Sequence, residues 1–143
     1  MTKVAQVLQD KPSQDIFTVH PDATVLEAIT IMAAQDIGVL VVTHEDGVVG
    51  ILSERDYTRK IVLMERSSFD TSVSEIMTAK VLTVTRATPI EDCLKLMTDK
   101  HLRHLPVVEE GKLVGLVSIG DLVKAAMKDQ QNLIEQLQQY ISG

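Results

Sequence analysis

The sequence predicts a mixed α/β fold of the α+β type, in which a β-α-β-β-α unit occurs twice with pseudo-two-fold symmetry. The chain matches itself without gaps at a constant offset, from Thr18 onto Thr83 as far as Val62 onto Met127. Both copies also repeat the same order of strand-like and helix-like apolar patterns. With 143 residues and no Trp, the chain suits one compact domain, or two small units sharing a core, with an aliphatic interior.

Each copy begins with a strand-like run followed by an amphipathic stretch. The strands are predicted at residues 16–19 and 81–84. Apolar residues at helical spacing come next, and they are Val25, Ile29 and Met32 in copy one and Ile90, Leu94 and Met97 in copy two. This spacing predicts a helix after the first strand of each copy, with these side chains in the core.

A hairpin of two apolar strands follows in each copy. The strands are predicted at 39–42 and 48–52, and again at 105–108 and 113–117. The turns between them contain Asp46-Gly47 and Glu110-Gly111, residues that are typical of hairpin turns.

A second helix completes each copy, beginning near Glu54 and near Ile119. A short apolar motif also precedes each copy, and we expect it to form a helical turn that packs on the other repeat. Its residues are Val4, Val7 and Leu8 before copy one and Val73, Ile76 and Met77 before copy two. In sequence order the predicted domains are 1–68 and 69–128, followed by a C-terminal helical extension at 129–143.

Charge and cysteine content argue against several functions. The formal net charge of −6 makes sequence-independent nucleic-acid binding unexpected, because such binding needs a basic surface. The one cysteine, Cys93, allows neither an intrachain disulfide nor a C-x-x-C metal motif, and its alignment with Ala28 predicts a buried core position. The sequence has no secretory or membrane-spanning run, so we expect a cytoplasmic protein without membrane contact.

Catalytic and metal-binding residues are not expected. His20, His44 and His101 have no repeated counterpart and no second ligand at metal-binding spacing. No combination of Ser, His and Asp suggests catalysis. We therefore expect a protein that is not an enzyme and holds no metal.

The chemically informative residues form the motif G-x-x-S-x-x-D, which occurs once in each copy at the end of the third strand. Its residues are Gly50, Ser53 and Asp56 in copy one and Gly115, Ser118 and Asp121 in copy two. A hydroxyl at a strand-to-helix turn lies beside free N–H groups and the positive end of the helix dipole, which suits a phosphate. An Asp one turn later suits the cis hydroxyls of a ribose. A helix capping box, which needs no ligand, is the alternative interpretation of the same residues.

Three features favour the ligand interpretation. The acidic residue is Asp in both copies, where a capping box prefers Glu or Gln. The upstream glycine is expected where a ligand approaches the backbone closely. Arg55, with Arg59 and Lys60 after it, brings positive charge near the first motif, although a solvated helix face is the preferred interpretation of Lys60.

These residues resemble a pair of CBS domains, a family named for cystathionine β-synthase. The resemblance rests on the duplication, the V-x-x-I-M-T element at 73–78, the H-L-P-V-V strand at 104–108 and the two G-x-x-S-x-x-D motifs. The segments S-E-R-D-Y followed by R-K, and V-S-I-G-D, are similar to those of stand-alone CBS pairs from bacteria and plant organelles. The resemblance covers nearly the whole chain, from residue 4 to residue 127.

The resemblance implies a disc-like module with two crevices between the repeats. Such crevices hold AMP, ADP, ATP, S-adenosylmethionine or NAD(H), usually within a dimer of modules. The nucleotide-binding residues implied are Thr18, Ile37, Val39, Ser53, Arg55 and Asp56 in copy one and Thr83, Arg103, His104, Pro106, Ser118 and Asp121 in copy two. The two serines would face phosphate and the two motif aspartates would face ribose.

The two sites are expected to differ. Copy one offers Arg55 where copy two has Gly120, and copy two offers Arg103-His104 where copy one has Gly38-Val39. We expect an adenine-nucleotide sensor that signals to an unidentified protein target, with a structural interaction module whose sites are vestigial as the alternative. A homodimer is expected, and Leu133, Leu137 and Ile141 form an apolar stripe that either packs on the body or makes the dimer contact.

Overall fold

The structure is a computed structural model that describes residues 1–13 and 15–142. Its helices are α1 (Val4–Asp10), α2 (Val25–Gln35), α3 (Glu54–Tyr57), α4 (Val73–Ile76), α5 (Ile90–Lys100) and α6 (Ile119–Ser142). One π-helical turn, Thr58–Val62, continues α3. Its strands are β1 (Thr18–Val19), β2 (Val39–His44), β3 (Gly47–Ser53), β4 (His104–Glu109) and β5 (Lys112–Ser118). The two-copy β-α-β-β-α pattern is therefore confirmed.

The chain forms two compact units. The first-repeat unit contains residues 15–82 and 110–113, and the second-repeat unit contains residues 1–13, 83–109 and 114–142. The predicted boundaries, 1–68 and 69–128, follow the sequence order. In the structure, the segment before copy one (1–13) belongs to the second-repeat unit, and the segment before copy two (69–82) belongs to the first-repeat unit. None of the helices within 1–13 and 15–142 is long and apolar enough to cross a membrane.

The first-repeat unit contains a three-stranded sheet in the order β1-β2-β3. β1 is parallel to β2, with Thr18 opposite Val41, and β2 is antiparallel to β3, with Val39 opposite Ser53. β1 is shorter than the predicted strand at 16–19, because only Thr18 and Val19 pair with β2.

The second-repeat unit has β4 and β5 in its sheet. The predicted strand at 81–84 is reduced to a single parallel bridge between Val84 and Val107. The bridge is made by two backbone hydrogen bonds, from Val84 N to Pro106 O at 3.0 Å and from Val108 N to Val84 O at 2.9 Å. This bridge still holds the start of copy two against the middle of β4.

The hairpin turns each consist of two residues with left-handed backbone. They are Glu45-Asp46 and Glu110-Gly111, with φ values of 51° and 66° and of 51° and 77°. The first turn therefore lies one residue earlier than predicted, and Gly47 begins β3. Positive φ at both central residues matches the right-handed twist of the flanking strands, which is why two-residue hairpins adopt it.

Gly111→Ala should lower the free energy of unfolding by about 1 kcal/mol, because a left-handed residue with a Cβ is strained. A Cβ at this position would meet no atom within 4 Å, so the loss comes from the backbone alone. Gly120→Ala is the control with negative φ: it lies in the first turn of α6, so it should leave the free energy of unfolding unchanged or raise it by less than the roughly 1 kcal/mol of a helix interior. Urea unfolding measures both, and equal effects of the same sign would contradict the turn assignment.

The segment that leads into each repeat docks on the first helix of the other repeat. In the second-repeat unit, Val4 N donates to Thr88 O at 2.9 Å and Ile90 N donates to Thr2 O at 3.1 Å. In the first-repeat unit, Val25 N donates to Thr71 O at 2.9 Å. Each apolar motif consequently enters the core of the other copy, as predicted: Val4 and Val7 lie in the core of copy two, and Val73 and Ile76 in that of copy one.

Each unit has an aliphatic core. Leu40 and Leu105 occupy equivalent positions in β2 and β4 and are fully buried. Met32 and Met97 are buried, which confirms their predicted core positions. Cys93 is also fully buried on α5, and burial raises the pKa of its thiol to about 11, so the thiol is protonated at neutral pH and unreactive.

The last helix extends well beyond the second-repeat core. Residues 131–142 are all exposed although they continue α6 without a break. Leu133, Leu137 and Ile141 are 55%, 53% and 83% exposed. Packing of this stripe on the body of its own chain, one of the two interpretations of the pattern, is therefore wrong.

Candidate functional site

The first motif forms a capped helix start where β3 runs into α3. Ser53 N donates to Asp56 Oδ2 at 2.9 Å, and Asp56 N donates to Ser53 Oγ at 3.1 Å. The Ser53 hydroxyl also donates to Asp56 Oδ2 at 3.0 Å. The other carboxylate oxygen, Oδ1, lies 3.3 Å from Lys60 Nζ.

The second motif has the same geometry where β5 runs into α6. Ser118 N donates to Asp121 Oδ2 at 2.9 Å, and Asp121 N donates to Ser118 Oγ at 3.1 Å. A lysine again lies against the carboxylate, because Lys11 Nζ is 3.1 Å from Asp121 Oδ2. The capping interpretation therefore describes both motifs as they stand, with Asp in the place of Glu.

Each lysine also donates to a backbone carbonyl. Lys60 Nζ donates to Ile76 O at 2.8 Å, and Lys11 Nζ donates to Leu116 O at 2.9 Å. Lys60 is exposed, as its solvated interpretation predicts, but its position four residues after Asp56 also places its ammonium against that carboxylate. Lys11 was not expected at the second motif at all, since it comes from the segment that leads into copy one.

The glycines of the motifs are explained by packing. A Cβ at Gly115 would lie 2.7 Å from Leu8 Cδ2, and one at Gly50 would overlap Met77 and lie 3.2 Å from Thr78 O. Leu8 and Met77 are the last residues of the two leading apolar motifs. The interpretation of these glycines as room for a ligand is wrong, because a side chain of the leading motif already fills the space.

The strand before each hairpin turn is tied to the motif by a backbone hydrogen bond. Glu54 N donates to Gly38 O at 3.0 Å in the first-repeat unit, and Ile119 N donates to Arg103 O at 2.9 Å in the second. These bonds place the starts of β2 and β4 beside the starts of α3 and α6. They bring Ile37 and Val39 near Ser53, and Arg103 and His104 near Ser118.

The remaining candidate residues differ in exposure, but each lies in the unit of its own repeat. Thr18 and Thr83 are exposed at the first strands, Val39 and Pro106 are buried, and Ile37 is partly buried. Arg55 is exposed on α3. All six copy-one candidates lie in the first-repeat unit and all six copy-two candidates lie in the second-repeat unit. Each unit thus gathers one complete candidate set.

Two groups of the second set have shifted pKa values. Burial opposes ionisation of Asp121, but the Ser118 N–H and the Lys11 ammonium outweigh it and hold the pKa of this carboxyl below its usual value. Burial lowers the pKa of His104, and the charges of Lys11 and Arg103 add to the effect against the opposing Asp121. At neutral pH the second-repeat site therefore contains an ionised Asp121 and a neutral His104.

The lowered pKa of Asp121 makes part of the stability pH-dependent. Because the folded state favours the ionised carboxyl, its stabilising contribution is complete above the unfolded pKa of about 3.9 and is lost as the pH falls through the lower folded value. The difference in unfolding free energy between the wild type and Asp121→Asn should therefore be constant near neutral pH and shrink below pH of about 4. A difference that grows on acidification would contradict this assignment.

A pocket of about 320 Å³ lies beside Asp121 in the second-repeat unit. Its walls come from the end of α1 and from α6, with Lys11, Lys124 and Lys128 facing Asp10 and Asp121. Lys128 Nζ is also 3.7 Å from Asp10 Oδ2. The pocket is lined by Asp121 but not by the other copy-two candidates, so it borders the lysine side of the motif.

His20 and His44 form a contact that the sequence reasoning missed. His20 Nε2 and His44 Nδ1 are 3.2 Å apart, and Asp22 N donates to His20 Nδ1 at 3.0 Å. The signal was available, because parallel pairing of β1 with β2 brings the residue after β1 beside the end of β2. Among residues 1–13 and 15–142, no group of three or more His, Cys, Asp or Glu residues could hold a metal ion.

The profile of the CBS domain family matches residues 4–63 and 73–128. These two matches cover most of the chain and coincide with the two copies of the repeat. The chain therefore belongs to the CBS domain family and contains a tandem pair of CBS domains.

Two relatives resemble the chain over most of its length. A putative signal-transduction protein with CBS domains from Burkholderia ambifaria MC40-6 has 51% sequence identity and a TM-score of 0.84, covering 90% of this chain and 96% of that one. The mitochondrial CBS domain-containing protein CBSX3 of Arabidopsis thaliana is 40% identical over 85% of this chain. The alignment spans 62% of that plant protein's length.

Two further similarities bear on ligand and activity. The CBS domain pair of protein MJ0100, solved in complex with 5′-methylthioadenosine and S-adenosyl-L-methionine, shares the fold with a TM-score of 0.77 at 24% identity. An inosine-5′-monophosphate dehydrogenase of Methanocaldococcus jannaschii is 34% identical over 78% of this chain, but the match spans 22% of that enzyme. The similarity to the enzyme is thus confined to a small part of it.

Proposed function

We propose that this CBS pair is a non-enzymatic sensor that binds an adenine nucleotide, AMP, ADP, ATP or NAD(H), in each repeat and conveys its ligand state to a partner protein. The observation that carries the proposal is the identical frame in the two units. In each, a strand ends in a serine whose N–H donates to the carboxylate of an aspartate one turn later and whose hydroxyl accepts from the N–H of that aspartate. Two related ligands would need the same arrangement of serine and aspartate groups in both repeats.

The proposed binding chemistry uses the start of the helix that follows the hairpin in each repeat. Ser53 and Ser118 would face phosphate beside helix N–H groups, and Asp56 and Asp121 would accept hydrogen bonds from ribose hydroxyls. The protein of the same fold solved with S-adenosyl-L-methionine and 5′-methylthioadenosine supports an adenosine-containing ligand for this kind of module. Transfer of the signal requires that the nucleotide prefer one conformation of the chain over another.

The two sites are proposed to be unequal. In the first-repeat unit Arg55 would supply positive charge to a phosphate. In the second-repeat unit that charge would come from Arg103, and the neutral imidazole of His104 would serve as a hydrogen-bonding or stacking partner. We expect the two repeats to differ in affinity or in the nucleotide they prefer.

A structural interaction module is the second candidate function. It is favoured by the lysines, since Lys60 and Lys11 already pair with Asp56 and Asp121 without any ligand. In that case the motifs would be helix caps strengthened by ion pairs, and the protein would act only by assembling with itself or with others. In either function we propose a homodimer working in the cytoplasm, while the plant relative is named as mitochondrial.

A thermal-shift panel with AMP, ADP, ATP, NAD, NADH and S-adenosylmethionine separates the two functions. A ligand that binds only the folded state adds about 2.7 kcal/mol of stability at a hundredfold excess over Kd. The sensor predicts a raised melting temperature with at least one of these compounds and none with adenine-free controls such as GMP or CMP. Unchanged melting with all six compounds would leave the interaction module as the function.

A further inference from the structure

One face of α6 carries an exposed apolar stripe along the whole helix. The helix is 24 residues long, which is about 36 Å at 1.5 Å per residue. The stripe consists of Ile119, Val123, Met127, Leu133, Ile134, Leu137, Tyr140 and Ile141, whose exposed fractions are 41%, 44%, 65%, 55%, 42%, 53%, 87% and 83%. At about 100° per residue all of them fall on one side of the helix, with a step of six residues from Met127 to Leu133. Soluble monomers rarely expose so continuous an apolar surface.

The helical state of the tail itself calls for a partner. Residues 131–142 are helical although all of them are exposed. Extending a helix into water gains little stability, because most helical stability in proteins comes from packing an amphipathic face rather than from helix propensity. Burial of the stripe against another surface would supply the missing stabilisation.

Three pairs of stripe residues are symmetric about Gln130. Ile119 and Ile141 lie equally far from this residue in the sequence, as do Val123 and Leu137. The same holds for Met127 and Leu133. An antiparallel pair of identical helices crossing at Gln130 therefore places these six apolar residues opposite one another in three pairs on each side of the contact, and the two Gln130 amides meet at the two-fold axis.

We propose that the stripe on α6 is covered by α6 of a second copy of this chain, antiparallel and centred on Gln130. This proposal rests on the homodimer put forward with the function and specifies its contact. The contact is isologous, so it closes at two copies and leaves no free stripe. Nucleotide binding is not required for it.

Sedimentation equilibrium on the full chain tests the contact. The wild type should be a dimer at micromolar concentration, and Leu137→Glu should weaken the dimer at least tenfold, because it places a charge in the stripe. Leu63→Glu is the matched control, since Leu63 is 69% exposed outside α6, and it should leave the dimer unchanged. A monomeric wild type would overturn the homodimer itself, and a dimer that is unaffected by Leu137→Glu would overturn only the α6 contact.

Disulfide trapping tests the orientation. The double variant Val123→Cys/Leu137→Cys should give a covalent dimer on mild oxidation, while each single variant should not. The wild type is the control for Cys93, which is fully buried and should not cross-link. Cross-linking of either single variant to itself would show parallel helices and overturn the antiparallel pairing. Neither experiment includes a nucleotide, so their outcome is independent of whether the sensor function holds.

Discussion

Gly115→Ala should lower the free energy of unfolding by about 1–3 kcal/mol, the usual cost of adding atoms to a well-packed core. The new Cβ would lie 2.7 Å from Leu8 Cδ2, 2.8 Å from Leu8 Cδ1 and 3.3 Å from Leu8 Cγ. Because Gly115 is buried in β5 and Leu8 packs against the same core, the leucine can move only by disturbing its neighbours. Urea unfolding followed by circular dichroism measures the loss.

A double-mutant cycle identifies the cause. Leu8→Ala removes the atoms that the new methyl group would meet, so Gly115→Ala should cost much less in the Leu8→Ala background than in the wild type. The alternative cause is a ligand that needs the glycine. In that case Gly115→Ala would leave stability unchanged in both backgrounds and abolish nucleotide binding, which would contradict the packing account.

In the first-repeat unit, Met77→Ala should rescue the stability of Gly50→Ala less well. A Cβ at Gly50 meets Met77, whose flexible side chain can adapt, but it also lies 3.2 Å from the backbone carbonyl oxygen of Thr78. Met77→Ala removes only the first of these obstacles. The rescue of Gly50→Ala by Met77→Ala is therefore expected to be smaller than the rescue of Gly115→Ala by Leu8→Ala.

The sequence predicted the hairpins and helices well because their signals are local. Apolar runs broken by turn residues located β2–β5, and the repeat offset located α3 and α6 at the ends of the hairpins. The first strand of copy two is shorter than predicted because its pairing with β4 is only one bridge long. A run of apolar residues in the sequence does not show how many of them will pair with the backbone of a neighbouring strand.

Contacts distant in sequence explain what was missed at the candidate site. Lys11 reaches Asp121 only because the leading segment exchanges between units, and no local pattern reports that exchange. The same exchange puts Leu8 over Gly115, which is why a glycine kept in both motifs was read as room for a ligand. The capping box, in contrast, is a local feature and was available as an interpretation from the spacing alone.

Asp56→Ala and Asp121→Ala should each abolish nucleotide binding in one repeat while the protein stays folded. Each carboxylate would accept the two ribose hydroxyls, and hydrogen bonds to a charged group contribute about 1.5–3 kcal/mol each, so the affinity should fall by roughly a hundredfold or more. Calorimetric titration should then show one site in place of two. The double variant should show none.

The capping role of the same residues requires a second pair of variants. Each alanine also removes a helix-capping contact and an ion pair, which should cost about 1 kcal/mol of stability. Asp56→Asn and Asp121→Asn keep the side-chain size and one acceptor but lose the charge, so they should weaken nucleotide binding with a smaller loss of stability. Variants that unfold yet bind normally while folded would assign these residues to capping alone.

Isothermal titration calorimetry of the wild type, with the nucleotide that gives the largest thermal shift, tests the central claim most directly. Two CBS repeats with the same Ser and Asp frame but different neighbouring residues predict two binding events per chain with distinct affinities. Two identical, independent sites would contradict the inequality assigned to Arg55 and to Arg103 with His104. The absence of binding heat at every concentration and temperature tested, together with no thermal shift, would contradict the nucleotide sensor itself.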